Sequence, residues 1–184
     1  MDFRNTTYKR GIRNNNPGNI IINNTPWEGL VPLPQNTDGK FQQFKTLEHG
    51  LRALMTNART YILKYGANTI EKLMSKWAPP HENDTKKYIN FIATQLNISP
   101  TQTRTKTDLT QKFFITMAKA IAQMECAPDH VRIPQASYEK AYSMMSPLKD
   151  FINEKKKGIG ATLLFIALAY GTYYWYKKNI KIRK

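Results

Sequence analysis

Apolar residues change their spacing near position 46. Before it they come as short runs between polar stretches; after it they recur every third or fourth residue. Residues 1–18 are polar and Asn-rich, with Pro17-Gly18 as a turn signal. Ile20-Ile21-Ile22 and the segment Phe41 to Phe44 flank a Pro-rich loop running from Pro26 to Gly39, and they predict a small β-hairpin. From Thr46 the spacing becomes helical, with Leu47, Leu51, Leu54, Ala58, Tyr61 and Ile62 on one face and an end near Gly66. Thr69 caps a short helix that runs through Trp77 and stops at Pro79-Pro80. Asn83 or Asp84 caps a third, with Tyr88, Ile89, Ile92 and Leu96 inward. Thr107 or Asp108 starts a fourth, carrying Leu109, Phe113, Met117, Ile121 and Met124. Pro128 disfavours helix at Ala127, so this helix ends near Cys126. A last amphipathic helix covers Gln135 to Met145. The head is predicted to be mainly α, an α+β unit with a small hairpin.

One segment breaks this pattern. Gly158–Tyr176 holds nineteen residues without a charge, ending Tyr173-Tyr174-Trp175-Tyr176 before Lys177-Lys178. As a helix it would be ~28 Å long, about one hydrocarbon core. Aromatics at its end and lysines beyond it are the marks of a lipid–water boundary. The sequence therefore predicts a C-terminal transmembrane helix. The domains read as a head (1–148), a basic linker (149–157), the membrane span (158–176) and a basic tail (177–184). No apolar stretch at the N-terminus resembles a signal peptide. The expected location is a virion membrane or a host inner membrane.

Composition narrows the chemistry. The 184 residues include 28 Lys+Arg against 13 Asp+Glu, a net charge of +15, with one Cys and three His. One Cys excludes a disulfide scaffold and Cys-built zinc sites, and three scattered His disfavour a His-built centre, so no metal or cofactor is expected. The head is +8, and much of the remaining charge flanks the apolar segment. Such a protein suits polyanionic partners: a charged cell wall, anionic lipid or nucleic acid. No phosphate-loop motif is present.

The carboxylates of the head differ by helix position. Glu48, Glu71, Asp84 and Asp108 fall in or beside first turns and Glu82 just before one, where the helix dipole favours the ionised form. Glu125 falls in a last turn among Ala118, Ala120, Ile121, Ala122 and Met124. There the dipole and the apolar neighbours both oppose negative charge, which favours a carboxylic acid that keeps its proton; spacing alone equally describes an exposed Glu at a frayed helix end. A general acid for glycoside cleavage needs that property. No second carboxylate stands out, although glycosidases usually use two. A single acid suffices if a sugar hydroxyl of the substrate attacks to close an anhydro ring. Trp27, Trp77, Tyr61, Tyr65 and Tyr88 could stack on sugars or simply pack the core.

The stretch Arg10-Gly11-Ile12-Arg13-Asn14-Asn15-Asn16-Pro17-Gly18-Asn19-Ile20 resembles a phage and prophage structural-protein family marked by RGIRNNNPGNI. Further blocks follow in the same order: Trp27-Glu28-Gly29, Asp38 with Phe41 and Phe44, Gly50-Leu51-Arg52-Ala53, Trp77-Ala78-Pro79, and Glu82-Asn83-Asp84-Thr85 with Tyr88. The resemblance covers residues 10–90 well and the rest of the head loosely. It implies a lysozyme-like fold. Bacterial glucosaminidases and lytic transglycosylases place a catalytic Glu at a helix end, and glucosaminidases follow it with an Asn-Asn block and a Trp-x-Gly. Here Asn14-Asn15 and Trp27 are similar, but the Glu-terminated helix comes late, which implies a circular permutation that sets Glu125 beside the Asn14–Asn19 loop. On this reading Glu125 is the acid/base, with Glu82 in reserve, and Asn14, Asn15, Asn19, Trp27 and Tyr88 bind the glycan.

Three functions remain open. The first is a membrane-anchored virion protein that cleaves peptidoglycan during genome entry, as a lytic transglycosylase or a hydrolase; lipid-containing phages carry a membrane-bound transglycosylase. The second is a non-catalytic structural protein of the virion membrane, contacting other virion proteins. The third is a basic membrane protein that touches genomic nucleic acid through its tail; the head lacks the interleaved cations and aromatics of a nucleic-acid surface.

Overall fold

The computed structural model describes residues 1–80, 84–148 and 150. Six helices build the head: α1 (Arg10–Arg13), α2 (Leu47–Leu63), α3 (Ile70–Trp77), α4 (Thr85–Leu96), α5 (Gln111–Cys126) and α6 (Gln135–Ser143). Three single 3₁₀ turns, Leu33–Gln35, Lys106–Asp108 and Asp129–Arg132, join them. Met1–Met145 form one compact unit.

The caps are those the polar punctuation predicts. Thr46, Thr69 and Asp84 accept hydrogen bonds from the backbone N–H of His49, Lys72 and Lys87, satisfying a donor that each first turn would otherwise leave bare. Helix α5 starts later than expected. Thr105 and Asp108 close a capping box over one 3₁₀ turn, Leu109 breaks the helical geometry, and Thr110 caps the helix proper. Its end matches expectation: Ala127 is extended before Pro128, and the last helical residue is Cys126.

Helix α5 is the centre of the head and packs on α1, α2, α4 and α6. Phe114, Met117, Ala118, Ile121, Ala122 and Cys126 of α5 are buried, as are Leu47, Leu51, Leu54, Met55 and Ala58 of α2. Small residues at 118 and 122 let neighbouring backbones approach α5 closely, and the long ones fill the space between.

Two expectations about the fold are corrected. The β-hairpin is absent, and among the described residues there is no strand. Two isolated bridges stand in its place, Ile21 with Phe41 and Leu30 with Phe44. The segment 41–45 pairs first with 20–22, through Gln42 N–H to Ile20 O, and then with 29–31, through Val31 N–H to Gln43 O. Each partner is only about three residues long, and a ladder of one residue does not propagate into a strand. The head is mainly helical, as expected, but the α+β part of the description falls with the hairpin. Among the described residues no helix is long and apolar enough to cross a membrane. The expected transmembrane helix Gly158–Tyr176, and the tail 177–184 with it, lies outside the described residues, as does most of the linker 149–157.

Candidate active site

Three side chains from distant parts of the head meet at the end of α5. Asn19 Nδ2 donates to Glu125 Oε2 at 2.6 Å. The Tyr88 hydroxyl, from α4, donates to Glu125 Oε1. Glu125 itself is half-buried. Each of its oxygens thus has one fixed donor and keeps a lone pair for another partner.

The loop carrying Asn19 is built by its own amides. Asn15 and Asn19 hold positive φ, 51° and 47°, a left-handed geometry that Asn tolerates better than most residues. Asn14 donates to Asp38 Oδ2 and accepts from Gln43 Nε2. Asn15 donates to Asp2 and to the Phe44 carbonyl and accepts from the Phe3 N–H. Asn16 bonds both the N–H and the C=O of Ile20 and the carbonyl of Gln42. These three side chains are buried and committed to the protein. Asn19 alone of the four turns toward the helix end.

Cys126 explains how the loop reaches α5. Its sulfur is fully buried and lies 3.7 Å from the Pro17 carbonyl. A Cβ on Gly11 would stand 2.5 Å from that sulfur and 3.1 Å from Asn19 Oδ1. Only glycine at 11 lets α1 and the loop close over the end of α5. Burial, then the negative charge of Glu125, pushes the Cys126 thiol up to about 12, so it stays a neutral packing group rather than a nucleophile.

Tyr88 is a support rather than a stacking platform. Its ring is 6% exposed and belongs to the main core. Burial, followed by the charge of Glu125, pushes its hydroxyl far above the ordinary tyrosine value, so it remains a donor at every physiological pH. Trp27 packs with Leu30 on the smaller cluster of Ile20, Phe44 and Ala53, its indole N–H buried without a partner among the described residues. The structure therefore joins Glu125, Asn19 and Tyr88, and sets Asn14, Asn15 and Trp27 in other surroundings. Glu82 lies outside the described residues.

Two further carboxylates have buried side chains: Asp38, and Glu48, whose first-turn position already favours the ionised form. Asp38 accepts two bonds from the Arg10 guanidinium, at 2.7 and 2.8 Å, one from Asn14, and N–H bonds from Lys40 and Phe41. Burial would raise its pKa, yet these donors hold it far below the usual carboxylate range. Glu48 accepts from the Met1 ammonium and from Ser137 of α6, each at 2.8 Å. Against burial, those two donors bring its carboxyl down to about 2. Both acids are ionised structural pins. In the sequence, Glu48 stood out only as a first-turn acid and Asp38 only as part of the block with Phe41 and Phe44, and neither signal names a partner.

No known protein-family model matches the chain. Over 96 residues it is 46% identical to "Protein P5" of Pseudoalteromonas phage PM2, a match that covers 50% of this chain and 59% of that protein. The chain thus spans about six tenths of the length of the relative it matches, and it is homologous to a bacteriophage protein.

Proposed function

We propose that this is a phage virion protein that cleaves the glycan strands of peptidoglycan by a lytic transglycosylase reaction, with Glu125 as its single acid/base. The observation that carries the reading is the Glu125 carboxyl, half-buried at the end of α5 and oriented by Asn19 and Tyr88. A general acid must be aimed, and two fixed donors on separate elements aim it.

In its protonated form the Glu125 carboxyl gives its proton to the glycosidic oxygen as the bond to the muramic C1 breaks. The same carboxylate then takes the proton of the C6 hydroxyl while that oxygen attacks C1, closing a 1,6-anhydro ring. The carboxyl ends the cycle protonated, and no water is consumed. Tyr88 and Asn19 hold it in place through both halves. This route suits a site with one carboxylate among the described residues, since hydrolysis by the usual route needs two. The cationic protein suits an anionic wall.

Digesting purified sacculi with the full chain and weighing the products by mass spectrometry tests the reading. The expected fragments end in 1,6-anhydromuramic acid. Reducing ends would show hydrolysis instead. Intact sacculi would favour the non-catalytic virion protein.

A further inference from the structure

A polar cleft lies beside α1. It encloses about 360 Å³ and is lined by Arg4, Arg10, Arg13, Asn5, Gln35 and Thr37, with Asp38 and Asn14 at its wall. Helix α1 faces two ways: Gly11 packs on Cys126 at the Glu125 end, while Arg10 and Arg13 line the cleft. The charges there are not balanced. Arg4 is paired with Asp2, and Arg10 is paired two-pronged with Asp38. The exposed Arg13 makes one 3.3 Å bond to the Tyr8 carbonyl and, among the described residues, meets no carboxylate. One guanidinium therefore stays uncompensated beside a rim of amide and hydroxyl groups.

We infer that this cleft binds the peptide stem of peptidoglycan, with a stem carboxylate on Arg13 and the stem amides on Asn5, Gln35 and Thr37. The inference rests on the glycan-cleaving reading above and adds how a strand would be held across α1. The cleft's chemistry selects the ligand. A guanidinium fork matches a carboxylate, and neutral donors and acceptors around it match peptide groups. A polynucleotide needs a row of free cations for successive phosphates, whereas two of the three arginines here are already paired with carboxylates.

Calorimetry of the full chain with muramyl dipeptide, and with the same compound amidated at its carboxyl, tests it. The acid is expected to bind about tenfold more tightly than the amide, the worth of one charge-assisted hydrogen bond. Arg13→Gln should remove that difference, Arg13→Lys should keep part of it, and Gln35→Glu, at an exposed position in the Leu33–Gln35 turn, should weaken the acid selectively. Circular dichroism confirms that each variant folds. Equal binding of acid and amide, or full binding by Arg13→Gln, would overturn the proposal. So would a DNA oligonucleotide displacing muramyl dipeptide from the cleft with steep salt dependence. Glu125→Gln should bind muramyl dipeptide as the parent does, so loss of cleavage and loss of stem binding are read separately.

Discussion

Tyr88 and Asn19 donate to different oxygens of Glu125, and each has a cheap substitute that tests its part. Tyr88→Phe keeps the ring in the core and removes only the hydroxyl. Because Glu125 is half-buried, water can replace the lost donor, so the melting temperature should change little. The carboxyl loses its orientation, and kcat on sacculi should fall about 10²-fold. An unchanged kcat would show that Tyr88 does not position the acid. Glu48 gives a pH test at the same scale. Its folded pKa, about 2, lies below its ordinary value of 4.5. The stability it confers is complete above the ordinary value and is lost as pH falls from about 5 toward 2. Glu48→Gln should flatten that part of the melting-temperature curve; an equally steep curve would assign the acid loss to other carboxylates, such as Asp38.

Among the elements, α2 to α5 were readable because their boundaries are written in side chains that act locally. Thr46, Thr69 and Asp84 cap, and Pro128 stops. That also made Glu125 legible as a helix-end acid, and the family resemblance placed the Asn loop beside it. The rest depended on geometry that residue type leaves open. Helix α1 has four residues, too few to show a period. In the loop, neighbouring asparagines differ in role by the partners the chain sets around them: Asn14 and Asn15 are taken up by Asp38 and the Phe44 carbonyl where a binding role was expected, and Asn19 bonds Glu125. The hairpin expectation failed because one segment divides its bonds between two short partners. Packing of α2 under this loop has its own test. A Cβ on Gly50 would stand 1.7 Å from the Asn15 carbonyl oxygen, a backbone atom that cannot swing aside. Gly50→Ala should cost about 3 kcal/mol or more, read as a shift in denaturant midpoint. A parent-like midpoint would mean that the loop and α2 are not in close contact.

The whole molecule is a helical head with an acid at the end of its central helix and a homologue in a phage. On the proposed function, Glu125 does the chemistry. Purified sacculi digested in parallel by the parent chain and by Glu125→Gln, both confirmed folded by circular dichroism, test that claim most directly. Gln keeps the shape and one acceptor but cannot move a proton. Release of soluble muropeptides is expected to fall by about 10²–10⁴-fold, the usual worth of a general acid. Release at the parent rate by Glu125→Gln would contradict the account and reduce Glu125 to a packing residue at a helix end.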